Sequence, residues 1–201
     1  MCLSEINAAI KAYAEAYQTL SSLQSQQQQH EALNMLQFHP QKKDECLTWL
    51  PQGDQKTGVI GEYYAMCYVR CMDGGAWSAK FSDNPSEKGW DIMARNNISA
   101  KEIRIQVKTV SAYSKTRAMT PLHSEWDHLY LIHLKKNFQP DGFWILEDDD
   151  HTFMSQYNPP ITGLKMRDPG DPNSGTEAIW KNPRTTDKFS EICNILKEIP
   201  Q

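Results

Sequence analysis

The sequence predicts an α/β fold, a β-sheet flanked by helices and preceded by an N-terminal helical appendage. Three observations carry that prediction. The stretch Glu102-Ile103-Arg104-Ile105-Gln106-Val107-Lys108-Thr109-Val110 alternates with the period of a strand, setting Ile103, Ile105 and Val107 on one face and Arg104, Gln106 and Lys108 on the other. Residues 58–72 have helical periodicity, with Glu62, Met66 and Val69 sharing a face. Residues 186–199 form a second amphipathic stretch that aligns Phe189, Ile192, Ile195, Leu196 and Ile199 toward a core. At 201 residues the chain suits one domain with a sizeable core and an appended element.

Ser4 is placed to cap a first helix, in which Ile6, Ile10, Tyr13, Tyr17 and Leu20 step by four and three. The Gln-rich residues 24–30 read as its polar end or as a loop. A second helical piece through Ala32, Leu33, Met35 and Leu36 stops before Pro40, and a third covers 42–50. Leu50-Pro51-Gln52-Gly53-Asp54 is a connection, so residues 1–55 form the appendage and 56–201 the core. The helix carrying Glu62 ends at Asp73-Gly74-Gly75, where glycine permits a left-handed exit. A strand over 77–81, a polar turn over 82–88, a strand over 90–94 and the 103–110 strand make a meander. Its third element, 90–94, puts Asp91 and Met93 on one face and Trp90 and Ile92 on the other. The hydroxyl-rich loop 111–127 is long enough to suggest a functional role. Strands over 129–134 and 143–146 follow, with Pro140-Asp141-Gly142 as their hairpin turn. Residues 158–183, rich in Pro, Gly and Asn, read as an excursion over the surface before the closing helix.

An unpaired carboxylate facing a core is costly, so Glu62 calls for a partner, either a metal ion or Lys108. With Asp91 on one strand and Gln106 and Lys108 on the next, acidic and amide oxygens converge beside one ammonium. A site that holds a hard cation and polarises a phosphate has those requirements. At these residues the chain resembles the PD-(D/E)XK, or restriction-endonuclease-like, nuclease superfamily. There a helix supplies an acidic residue, a strand supplies Asp, and the next strand carries (D/E)-x-K. Glu62, Asp91 and Lys108 fit those positions, and Gln106 stands where Asp or Glu is usual, a variant that occurs in the superfamily. The succession of elements covers residues 57–147.

The resemblance implies a restriction-endonuclease-like core with a mixed central sheet, and a site for Mg²⁺ or Mn²⁺. Asp91 is then the central ligand and Glu62 binds directly or through water. The Gln106 amide oxygen and the Val107 carbonyl complete the set. Lys108 orients or helps deprotonate the attacking water and stabilises the charge that develops on phosphorus. A neutral Gln lowers the ligand charge by one and weakens metal affinity relative to a site with three carboxylates.

The net charge of -4 argues against a protein that coats nucleic acid non-specifically. Residues 101–136, however, hold seven basic against three acidic residues, and this segment contains the proposed catalytic strand. Within it Arg104, Ser111, Ser114, Lys115, Thr116 and Arg117 are candidates for contact with a nucleic-acid backbone. The five cysteines are scattered, with no paired CxxC. Cys67 and Cys71 share a helix face but lack a second ligand pair for zinc, which indicates reduced thiols. No basic leader precedes an apolar core, and no run approaches the ~20 apolar residues of a membrane span, so a cytoplasmic protein without a membrane partner is expected. A strand would put His128 and His133 on opposite faces, against a joint metal site with His123. Glu147-Asp148-Asp149-Asp150 reads as a solvated turn. There is no GxSxG, GxxxxGKS/T or GxGxxG.

These readings converge on a metal-dependent endonuclease that hydrolyses DNA, with restriction or anti-phage defence as the expected setting because a compact core with no helicase or ATPase motif resembles the orthodox restriction enzymes. Cutting both strands of a duplex needs two sites, which implies a homodimer. One rival is a non-catalytic nucleic-acid or protein-binding module with a degenerate site, kept open by Gln106. Another is an RNA-directed nuclease or toxin, since a metal site of this kind handles the phosphate common to both nucleic acids.

Overall fold

The computed structural model describes residues 54–82, 89–136 and 138–198. The helices expected within 1–53, the turn residues 83–88 and Ile199 lie outside them. The chain divides into two compact units, Met1–Lys56 with Leu196–Gln201, and Thr57–Ile195. The second holds the sheet and the candidate site.

Helix α1 (Asp54–Cys71) begins four residues earlier than its periodicity predicts and buries Ile60, Tyr64, Ala65, Met66, Tyr68 and Val69. It leaves through a 3-10 turn, Met72–Gly74, and Gly75, whose N–H donates to the Met72 carbonyl at φ 89°, supplies the left-handed exit. Six strands follow: β1 (Trp77–Phe81), β2 (Ile92–Asn96), β3 (Glu102–Ser111), β4 (His128–Leu134), β5 (Pro140–Glu147) and β6 (Thr185–Asp187). They lie side by side in chain order, every pair antiparallel except β3 with β4, so the sheet is mixed. Helix α2 (Glu177–Trp180) precedes β6, and α3 (Phe189–Glu198) closes the described chain. A parallel pair requires a crossover, and the irregular segment 112–127 provides it.

The two faces of the sheet are covered differently. Gly61 brings α1 so close to β3 that a Cβ there would sit 1.7 Å from Thr109 Oγ1. Farther along α1, Tyr68 packs edge-on to Tyr130 at 5.9 Å and against Phe143 at 5.0 Å. On the opposite face Leu129, Leu131, Trp144 and Leu146 join Trp126, Leu164, Met166, Ile179 and Trp180 in one apolar cluster. Every residue of β4 is buried, as suits a central strand covered on both sides.

Four expectations are corrected. Residues 158–183 are a cover for the second face, burying Leu164, Met166, Ile179 and Trp180 and bridging Leu122 to Ile161 and Ala118 to Lys165. Their apolar residues are spaced too irregularly to register as periodicity, yet the sheet face needs them. The hairpin closes where Lys135 N–H donates to the Gln139 carbonyl, and Pro140-Asp141-Gly142 belongs to β5. Gly142 serves close packing: a Cβ would lie 2.0 Å from the Trp144 ring. Thr186 is in β6, and α3 starts at Phe189, whose N–H donates to Asp187 Oδ1 at 2.8 Å. Finally β2 begins at Ile92, so Trp90 and Asp91 precede the strand. Among the described residues no helix is long and apolar enough to cross a membrane.

Candidate active site

The site arises because β3 outruns β2. Ile92 opens β2 opposite Ile105, whereas β3 continues to Ser111. Beyond that point the Val107 N–H faces the β2 side with no residue of β2 to receive it. Asp91 fills the role: its N–H donates to the Ile105 carbonyl at 2.8 Å, and its Oδ2 accepts the Val107 N–H at 2.6 Å. Continued register places Asp91 opposite Gln106, on the face that Gln106 and Lys108 share. In a strand the carbonyl of a residue projects to the same side as its N–H, so the Val107 carbonyl is directed to the same edge.

Glu62 reaches this edge from α1, next to the Gly61 crossing. Burial pushes its carboxyl up to about 7, and the nearby Asp91 charge adds to the effect. The Asp91 carboxyl is also raised by burial, against the opposing pull of the Val107 N–H and the Lys108 ammonium. Burial lowers the Lys108 pKa while Asp91 resists. Two half-buried carboxylates thus repel each other beside one ammonium, at an energetic cost that a bound cation would relieve. Lys108 Nζ donates to Thr120 Oγ1 at 3.1 Å and to the Pro121 carbonyl at 2.8 Å, tying segment 112–127 to the site. Gln106 is 2% exposed. Among the described residues no group of three or more His, Cys, Asp or Glu side chains is arranged to hold a metal ion. A donor set of two carboxylates, one amide and one backbone carbonyl, all hard oxygens, would suit Mg²⁺ or Mn²⁺ and not a soft metal.

The residues proposed for nucleic-acid contact are placed unequally. Arg104 is committed to Asp127, through Nε at 3.2 Å, a terminal nitrogen at 3.1 Å and its own backbone N–H at 2.6 Å. Arg117 pairs with Asp168. Ser114 Oγ accepts the Arg117 N–H at 3.1 Å, Thr116 Oγ1 accepts the Ala118 N–H at 3.4 Å, and Ser111 is buried. Lys115 is exposed. Sequence reasoning missed Thr120 and Pro121 as partners of Lys108, and Thr109 as the seat of α1. A glycine directly before a candidate catalytic Glu was the available signal for the last.

His128 and His133 do lie on opposite faces, His128 beside Tyr130 and His133 Nδ1 3.6 Å from Asp141. No disulfide joins Cys67, Cys71 and Cys193. The acidic run is a structured corner and not a solvated turn. Asp148, fully buried, accepts the Phe153 and Met154 N–H groups at 2.8 and 3.0 Å, Asp149 pairs with Lys101 at 3.0 Å, and Asp150 pairs with Arg184 at 2.8 Å. Compared with known proteins, the chain matches no family model and no curated protein.

Proposed function

We propose that this chain is a metal-dependent endonuclease of the PD-(D/E)XK kind, hydrolysing phosphodiester bonds of duplex DNA as a homodimer in restriction or anti-phage defence. One observation carries the reading: Asp91 sits at the strand edge that β2 vacates, holding the Val107 N–H at 2.6 Å, with the perturbed Glu62 carboxyl and Lys108 ammonium around it. Perturbed groups of opposite charge gathered at one edge are a mark of catalytic sites. The order helix acid, strand-edge Asp, and Gln-x-Lys on the next strand agrees with the superfamily pattern.

Asp91, Glu62, the Gln106 amide and the Val107 carbonyl would hold Mg²⁺ or Mn²⁺. The ion would polarise the scissile phosphate and acidify water. Asp91 is oriented by its hydrogen bond to Val107, so it meets a cation without reorganising. Lys108, its pKa lowered by burial, is positioned to steady negative charge as water attacks and to pass a proton at Nζ. Thr120 and Pro121 hold that ammonium in place.

Incubating the chain with supercoiled plasmid, single-stranded DNA and RNA in Mg²⁺ or Mn²⁺ tests the reading. Wild type is expected to cut the plasmid, Asp91→Ala to lose cutting with its circular dichroism unchanged, and Gln106→Glu to bind Mg²⁺ more tightly. Failure of the wild type to cut any substrate in either metal defeats the proposal. The module reading has one observation in its favour, the neutral and 2% exposed Gln106 at the position of an acid.

A further inference from the structure

The parallel strands β3 and β4 end side by side, Ser111 opposite Leu134, and the segments that leave them stay together. The Ala112 N–H donates to the Leu134 carbonyl at 2.7 Å, and the Ser114 N–H donates to the Ser111 carbonyl at 2.9 Å, so residues 111–114 turn tightly against the β4–β5 hairpin. Tyr113 thereby meets Phe138, with ring centroids 6.3 Å apart and planes at 42°. Phe138 is 6% exposed, is held in the left-handed region at φ 63°, uncommon for a bulky residue, and gives its carbonyl to the Tyr64 hydroxyl of α1 at 3.1 Å. Tyr113 remains 37% exposed, and its own hydroxyl has no hydrogen-bond partner among the described residues. The ring is thus propped by a fixed aromatic neighbour and left partly open to solvent.

The charge on these two segments is one-sided. Neither 111–117 nor 135–139 contains an acidic residue. Lys115, two residues after Tyr113, and Lys136, two before Phe138, are exposed and have no hydrogen-bond or ion-pair partner among the described residues. Lys135 reaches Asp141 only at 3.9 Å, and that carboxylate also faces His133 Nδ1 at 3.6 Å. Ammonium groups gathered without matching carboxylates, on a chain whose net charge is -4, make a local positive field that a polyanion would neutralise.

A supported aromatic ring beside unneutralised ammoniums is the combination that holds a single strand of nucleic acid, the ring stacking on a base while the cations follow the phosphates. In a duplex the base faces are covered by their neighbours, so the ring would have nothing to stack on. We propose that this patch binds unpaired nucleotides of a DNA strand, with a base on Tyr113 and phosphates at Lys115 and Lys136. The choice of DNA rests on the endonuclease reading, which the patch deepens. Ser111 lies three strand residues, about 10 Å, beyond Lys108, so a strand held here would run on toward the candidate active site. The substrate would then be a duplex with unpaired bases near the cut.

Fluorescence anisotropy of the full chain with an oligothymidylate of ~20 nucleotides and with an abasic strand of equal length, at ~0.1 M NaCl and without divalent metal, tests this. The oligothymidylate is expected to bind more tightly than the abasic strand. Tyr113→Leu, which keeps an apolar contact with Phe138 but removes the π-face, should weaken oligothymidylate binding on the order of tenfold and leave the abasic strand unaffected. Tyr113→Phe should bind as the wild type does. Lys136→Ala should lower the slope of log affinity against log salt by about 0.7 on either strand. Absence of oligothymidylate binding by the wild type, equal affinity for the abasic strand, or undiminished binding by Tyr113→Leu would each overturn the proposal. Cleavage does not enter these readouts, so a wild type that shows them yet cuts nothing in Mg²⁺ or Mn²⁺ defeats the endonuclease reading and supports the strand-binding patch.

Discussion

Lys108 and Arg104 share a strand face and a charge but have opposite assignments. Lys108 donates to one threonine hydroxyl and one carbonyl, both neutral, and the charge that acts on it is that of Asp91. Arg104 is neutralised by Asp127. Under the proposed function, Lys108→Ala should slow cleavage on the order of 10²-fold or more while DNA affinity in Ca²⁺ changes a few-fold, because the charge it meets appears only during attack. Single-turnover rates beside filter binding check this, and loss confined to binding would favour the module. Asp127 gives a stability prediction. Burial raises its pKa, but the side-chain and backbone hydrogen bonds from Arg104 outweigh that and hold it below the ordinary value. A depressed carboxyl contributes stability above its unfolded pKa near 3.8, lost as pH falls through the folded value. Asp127→Asn should therefore cost ~1–2 kcal/mol at pH 7 and nothing once pH falls below the folded pKa, measured by urea unfolding.

At the scale of elements, the contact between α1 and β3 sets where Glu62 arrives. Alanine at an exposed helical glycine gains about 1 kcal/mol of propensity. At Gly61 the new Cβ would meet Thr109 Oγ1 at 1.7 Å and Thr109 Cβ at 2.7 Å, and a β-branched residue in a central strand has little room to yield. Overpacking wins: Gly61→Ala should destabilise by ~1–3 kcal/mol in chemical denaturation. Thr109→Ala removes the nearest atom and leaves Cβ, so the double variant should recover part of the loss, a coupling of ~0.5 kcal/mol or more. Additive effects would mean that α1 is seated elsewhere.

Across the whole molecule, charge is sorted by pairing as well as by position. The chain carries -4 overall, yet residues 101–136 are basic. Several of those cations are internally paired, Lys101 with Asp149, Arg104 with Asp127 and Arg117 with Asp168, and Lys115 remains exposed. Under the proposed function, duplex affinity should fall steeply with salt, and Lys115→Ala should reduce the slope of log affinity against log salt by about 0.9, similarly for any sequence. Arg117→Ala should show more loss of stability than of DNA affinity. Salt titrations by fluorescence anisotropy check both, and a salt-independent affinity would contradict them.

Local pattern determined a good deal by itself. Alternation in 102–110 specified β3 and its two faces, periodicity in 58–72 specified α1, and Asp73-Gly74-Gly75 specified its exit, because period and turn chemistry are properties of neighbouring residues. Glu62, Asp91 and Lys108 stood out for the same reason, as chemistry-bearing residues on recognisable elements. Only tertiary structure decided the rest. The cover built from 158–183 depends on apolar residues with no common period, and Gly142 looked like a turn until the Trp144 ring lay over it. The Asp91 edge exists because one strand ends before its neighbour, and Arg104 is spent because Asp127, 23 residues away, folds back to it. Each of these is a relation between distant segments, which sequence spacing does not encode and packing against a sheet does.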